Sequence, residues 1–170
     1  MEIHTTDCPG CGLSLYSPTG GLSTDYNASF ACVELLRTLS FYTLQLHDQE
    51  FIHQLIVDTY MAQHFGQQVK PIAITFALVG LYLVNERGYT GKEVQQVHKQ
   101  LADSNTSKNW LYFPLPQKKS SLTVKNVLEA ADKNKTIHNW CESVWEIWKD
   151  QKGQIEEVLR QNGITKSSLR

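Results

Sequence analysis

A turn that presents two cysteine thiols side by side commits the chain to bringing partners to meet them. This sequence begins with such a turn, Asp7-Cys8-Pro9-Gly10-Cys11-Gly12. Cys-Pro-x-Cys-Gly is how many zinc knuckles aim two thiolates at one ion. Two thiolates fill half of a tetrahedral site, so the fold must return further ligands to its N-terminal end. The competing reading is a redox dithiol. Such pairs sit between a strand and a helix N-terminus, whereas Leu13 to Gly21 holds Ser, Pro and Gly with no helical stripe.

The 170 residues are 41% hydrophobic and 19% charged, enough for one globular domain with a real core. A formal net charge of -1, from 16 Lys plus Arg and 17 Asp plus Glu, supplies no field for a phosphate backbone, and nucleic-acid binding is not expected. Lys118-Lys119 is the nearest approach to a basic patch. The start, Met1-Glu2-Ile3-His4-Thr5-Thr6, has neither the basic nor the apolar region of an export signal, which points to the cytoplasm and to reduced thiols or metal thiolates. Ile72 to Val84 falls short of the roughly 20 residues a membrane span needs, so it reads as a buried central helix and no membrane partner is expected.

Helical spacing dominates the remainder. Cys32, Leu35, Leu36, Leu39, Thr43 and Leu46 predict a first helix over 27–46 with Asn27 as its cap. His53, Ile56, Val57, Tyr60, Met61 and His64 predict a second over 49–65, ended by Gly66. Lys70-Pro71 opens a third, stopped by Gly88, and the capping box Thr90-Gly91-Lys92-Glu93 opens a fourth through Val94, Val97 and Leu101. Pro114 and Pro116 keep 103–121 out of regular helix, so Trp110, Tyr112 and Phe113 are expected to drape over the bundle. Thr123 caps a short helix to about Asp132. Thr136 starts a long last one, which Gly153 loosens and Gly163 follows. No alternating stretch of strand length stands out. The expectation is all-α: one helical domain over 1–170, with a metal-clipped loop over 1–25 and a helical bundle over 27–163.

The first helical hairpin bears on the missing ligands. If its helices are antiparallel about a turn near residues 47 and 48, positions summing to about 95 face each other, which sets Cys32 across from Gln63 and His64. Both lie centrally on their apolar faces and point into the seam. A linker with Pro18, Gly20 and Gly21 has the slack to fold Cys8 and Cys11 back to the same end. Cys8, Cys11, Cys32 and His64 thus form a reachable tetrahedral set whose donors suit Zn2+.

Each member has a plainer reading. Cys32 alone is a small buried hydrophobe, and His64 alone is a hydrogen-bonded core histidine. His53 lies too far along the helix axis to share the ion. His4 is a substitute ligand from a mobile terminus, and Cys141, among Trp140, Trp145 and Trp148, is core packing. Asp58 and Tyr60 offer a carboxylate and a phenol nearby, with Asp58 off the apolar face and suited to a cap, a salt bridge or contact with the metal ligands.

Cys-Pro-Gly-Cys-Gly, Ser29-Phe30-Ala31-Cys32, the run Val57 to Gly66, Leu122 to Leu128 and Trp140 to Trp148 together resemble an uncharacterised family of small bacterial proteins, a domain of unknown function. The second segment of that family reads Val-Asp-x-Tyr-x-x-Gln-His followed by Pro-Gly. Phe65 stands here in place of the proline, and Cys141 in place of an alanine. The resemblance carries Cys8, Cys11, Cys32, Asp58, Tyr60 and His64 over residue by residue but implies no activity, substrate or partner.

Two classes of function follow. A closed four-ligand site makes a zinc-binding protein with a structural ion, whose bundle serves a protein partner or a homo-oligomer. Three ligands plus water make a hydrolase- or lyase-type metalloenzyme beside Asp58 and Tyr60. A thiol redox sensor using Cys8 and Cys11 is a further alternative.

Overall fold

Local capping and left-handed residues such as His47 and Phe51 set where this chain turns. The computed structural model describes residues 5–18, 20–165 and 168; His4 lies outside them. Strands β1 (Thr5–Asp7) and β2 (Ser14–Tyr16) pair antiparallel with Thr6 opposite Leu15. The helices are α1 (Phe30–Gln45), α2 (His53–Gln63), α3 (Pro71–Arg87), α4 (Gly91–Ser104), α5 (Val124–Glu129), α6 (Lys133–Trp148) and, after a 3-10 turn at Lys149–Gln151, α7 (Lys152–Gln161). The fold is helical as expected. The hairpin is a correction to the irregular entry predicted from sequence, since strands of three residues are too short to show alternation.

Several boundaries move for identifiable reasons. Ser29, not Asn27, caps α1: its Oγ accepts from the Cys32 N–H at 3.2 Å, while the Asn27 N–H donates to the His64 carbonyl at 2.8 Å. α2 begins at His53 because His47 and Phe51 have φ of 47° and 53°, which no helix propagates through. Asp132 rather than Thr136 caps α6, accepting from Lys135 N–H at 3.0 Å. The break before α7 falls at 149–151, just ahead of Gly153. The Thr90 box is present as predicted, with Glu93 Oε2 accepting from the Thr90 N–H at 2.9 Å.

α2 occupies the centre, packed against α1, α3, α4 and α6. A helix surrounded in this way has no single apolar stripe. Leu55, Ile56, Asp58, Thr59, Tyr60, Ala62 and Gln63 are buried, whereas Val57, placed in the predicted stripe, is 39% exposed. Trp140, Trp145 and Trp148 are buried, and their indole N–H groups donate to Gln63 Oε1, Glu86 Oε1 and the Ala62 carbonyl. In the proline-containing segment Phe113 is buried and Trp110 meets Phe76 edge-on, but Tyr112 faces solvent. α1 and α2 run antiparallel, joined at one end by Thr43 Oγ1 to His53 Nδ1 at 2.8 Å and at the other by Cys32 to His64. Among the described residues no helix is long and apolar enough to cross a membrane.

Candidate metal centre

Between β1 and β2 the chain forms a tight knuckle. The Cys8 N–H donates to the Leu13 carbonyl and the Gly12 N–H to the Cys8 carbonyl, both at 2.8 Å. Gly12 has φ of 81°, a conformation that disfavours side chains. Gly10 solves a different problem. A Cβ on it would lie 2.6 Å from the Asn27 carbonyl oxygen and 2.6 Å from His64 Cδ2, so only a bare Cα lets the knuckle press onto the hairpin. Lys119 Nζ pins the outside by donating to the Pro9 carbonyl at 2.8 Å.

The hairpin supplies the other side. Ser29 places Cys32 in the first turn of α1, where the helix dipole favours a thiolate. His64 ends α2, and its Nδ1 lies 2.9 Å from the Tyr60 carbonyl. A carbonyl only accepts, so Nδ1 carries the proton and Nε2 offers its lone pair to the sulfurs. Cys11 Sγ and Cys32 Sγ are 3.8 Å apart, Cys32 Sγ and His64 Nε2 are 3.4 Å apart, and the ligand atoms of Cys8, Cys11, Cys32 and His64 all lie within 4.8 Å of one another. Zinc bonds of about 2.3 Å to sulfur and about 2.0 Å to nitrogen, at tetrahedral angles, separate donors by roughly 3.5–3.8 Å. The donor set and its spacing fit such an ion. All four side chains are buried, and all the cysteines are free thiols.

Charge supports the fit. Hydrogen bonds from Cys11 and Cys32, with help from His64, hold Cys8 far below the ordinary thiol range. The hydrogen bond with Cys32 pulls Cys11 down, but that with Cys8, together with burial, lifts it to about 11. Cys32 is pushed far up by Cys11, Cys8 and burial. The three crowded thiols thus differ in how readily they ionise, Cys8 first and Cys32 last. Tyr60 keeps its phenolic proton, since burial, with its neighbour Cys32, raises its pKa. Its hydroxyl donates to Cys32 Sγ at 3.4 Å while its ring stacks on His64 at 3.8 Å.

Asp58 is not part of this centre. It sits two residues from Tyr60, about 200° around the helix, and faces α3 instead. Gln54 Nε2 donates to its Oδ1 at 3.0 Å, His98 Nε2 lies 4.0 Å from Oδ2, and the bare Cα of Gly80 makes room for it. Of the three roles expected for Asp58, a cap, a salt bridge or contact with the metal ligands, the approach to His98 matches the second. Burial raises its pKa well above the carboxylate range, and burial lowers that of His98 to about 4. His53 is occupied with Thr43, and Cys141 lies apart, accepting from Asn85 Nδ2 at 3.4 Å. Sequence reasoning missed Gly10 and Gln63 as packing elements of the site. Gln63 Nε2 donates to the Leu122 carbonyl at 2.8 Å, and its neighbour position to His64 was the available signal.

Fold and site together define a helical protein whose two-cysteine hairpin is drawn onto a helical hairpin by a buried Cys3His cluster. The chain belongs to a family of unknown function (DUF5946), whose pattern covers residues 6–149 and so includes all four cluster residues. No curated protein and no solved structure matches it.

Proposed function

We propose that the protein binds one zinc ion and that this ion is structural, with Cys8, Cys11 and Cys32 as thiolate ligands and His64 bound through Nε2. The observation that carries the reading is the convergence of four buried donors within 4.8 Å, with the His64 tautomer already set by the Tyr60 carbonyl. Bound there, zinc contributes folding free energy and keeps no position for a substrate. Cys8 and Cys11 tie down β1 and β2, Cys32 and His64 tie them to α1 and α2, and Tyr60 donates to the Cys32 thiolate.

The enzyme alternative needs a base beside the ion, and Asp58 faces the other way. The redox alternative, using Cys8 and Cys11, draws on the same crowding, since the sulfurs of Cys8, Cys11 and Cys32 all lie within 4.8 Å of one another. Thiols kept as zinc ligands suit a reducing compartment such as the cytoplasm. The test is metal analysis of protein purified without chelator, repeated on Cys8→Ser, Cys11→Ser, Cys32→Ser and His64→Ala. About one zinc per chain, lost with thermal stability in every variant, is expected. Full zinc in Cys32→Ser or His64→Ala sinks the four-ligand assignment at that position, and a metal-free parent sinks it altogether.

A further inference from the structure

α1 is apolar on two opposite sides. Cys32, Leu36, Leu39 and Thr43 face inward and are buried. Phe30, Glu34, Arg37, Phe41 and Leu44 recur at alternating steps of four and three residues, which at 100° per residue keeps them within about 80° of one another on the outward side. This stripe is open to solvent. Phe41 is 67% exposed, Leu44 50% and Phe30 48%, and the side chains of Glu34 and Arg37 are exposed between them. Phe30 is kept in line by Gly21, where a Cβ would lie 2.7 Å from the ring. Exposed apolar residues scattered singly are ordinary, but three on one stripe of one helix are a face that a partner can cover. Steps of four and three are also the seam spacing of helices packed side by side.

The stripe is its own complement. Against a second α1 laid antiparallel about a two-fold axis between residues 35 and 36, Phe30 meets Phe41 of the other copy and Glu34 meets its Arg37, and the symmetry repeats both contacts. A parallel arrangement sets Glu34 against Glu34 and Arg37 against Arg37, so charge selects the antiparallel one. Within its own helix Arg37 Nη1 donates to Glu34 Oε1, and the guanidinium keeps further donors for a second carboxylate. We infer that the outward stripe of α1 is a homodimer interface, with two copies packed antiparallel through Phe30 and Phe41 around a central Glu34–Arg37 cluster. The charged centre fixes the register and the phenylalanines supply the apolar contact. α1 has 16 residues and is about 24 Å long, which places a helix-on-helix contact at the small end of specific interfaces and makes the dimer reversible. The inference is independent of the zinc reading, since Cys32 lies on the opposite side of α1.

The test is sedimentation equilibrium of the full chain as purified, from about 5 to about 500 µM, where a dimer with a dissociation constant of about 10–100 µM is expected. Phe41→Glu, at the most exposed position of the stripe, should weaken the dimer at least about tenfold while metal content and melting temperature of the monomer stay unchanged. Glu34→Arg gives the stripe two positive charges and Arg37→Glu gives it two negative ones, so each variant alone should associate at least about tenfold more weakly than the parent. An equimolar mixture of those two variants should recover the parent affinity to within about threefold, because every charge then meets its opposite. A parent that stays monomeric at about 500 µM overturns the proposal and leaves the stripe to a different protein. A dimer that Phe41→Glu leaves intact overturns it too, since the chain then associates through another face. So does a mixture of the two charge variants that associates no better than either alone.

Discussion

Gly10→Ala is a one-methyl change whose effect on this protein should run opposite to the usual one. Gly10 does not have a positive φ, so alanine suits its backbone, and removing a glycine from such a position ordinarily stabilises by about 0.4–1 kcal/mol through the unfolded chain. Here the new Cβ would sit 2.6 Å from the Asn27 carbonyl oxygen, 2.6 Å from His64 Cδ2 and 3.0 Å from His64 Cα. Ordinary contacts begin near 3.4 Å, so the knuckle must retreat by the better part of an ångström. Neither neighbour yields cheaply, because the Asn27 N–H is bonded to the His64 carbonyl at 2.8 Å and the His64 ring is held by Tyr60. Overpacking of this kind costs about 1–3 kcal/mol, which outweighs the entropic gain and leaves a net loss of roughly 1–2 kcal/mol. The retreat also carries Cys8 and Cys11 away from His64, so zinc affinity should fall at least about tenfold. Gly153→Ala is the control: nothing lies within 4 Å of its Cβ, and in the first turn of α7 it should stabilise by about 0.5–1 kcal/mol. Urea unfolding of the zinc-loaded proteins, with chelator competition for the metal, measures both effects. A Gly10→Ala protein as stable as the parent, with unchanged zinc affinity, would refute the claim that the knuckle is pressed onto the hairpin.

Three further outcomes follow from individual side chains. Tyr60→Phe removes the hydroxyl that donates to Cys32 Sγ and keeps the stack on His64, so zinc affinity should fall about tenfold in chelator competition while the urea midpoint moves little. Cys141→Ala should retain full zinc, since that thiol lies outside the cluster; loss of metal would show that the ligand set is wrong. Asp58 has a folded-state pKa raised by burial, so the folded chain keeps a proton that the unfolded chain releases, and its contribution to stability is lost as pH rises through the window between the two values. Asp58→Asn, which can still accept from Gln54, should therefore gain on the parent as pH rises from 4 to 8 in urea titrations, and a constant difference across that range would contradict the assignment.

The helices were legible because their signals are local. Thr90 with Glu93, Pro71 at the start of α3 and Gly88 after it act within a turn of where they stand, and the structure uses each as read. The start of α2 was not legible, because left-handed His47 and Phe51 carry no glycine or asparagine signature. The facing of α2 was also hidden. Burial on nearly every side erases the stripe by which an apolar face is recognised, so Val57 was placed inside and Asp58 outside. β1 and β2 escaped notice because a three-residue strand shows no period of its own.

For the centre, sequence alone determined the ingredients: a turn that pairs two thiols, and helical spacing that, with an antiparallel hairpin, sets Cys32 against His64. These follow from backbone periodicity, which is a property of the chain. Tertiary structure decided which groups meet. It took the Asn27 N–H from an expected helix start and gave it to the His64 carbonyl, turned Asp58 away onto Gly80, and used the missing side chain of Gly10 to bring the knuckle down onto the hairpin. The reason is one of range. Capping and periodicity act over a few residues along the chain, whereas the burial of a carboxylate or the close approach of two backbones depends on segments far apart in sequence.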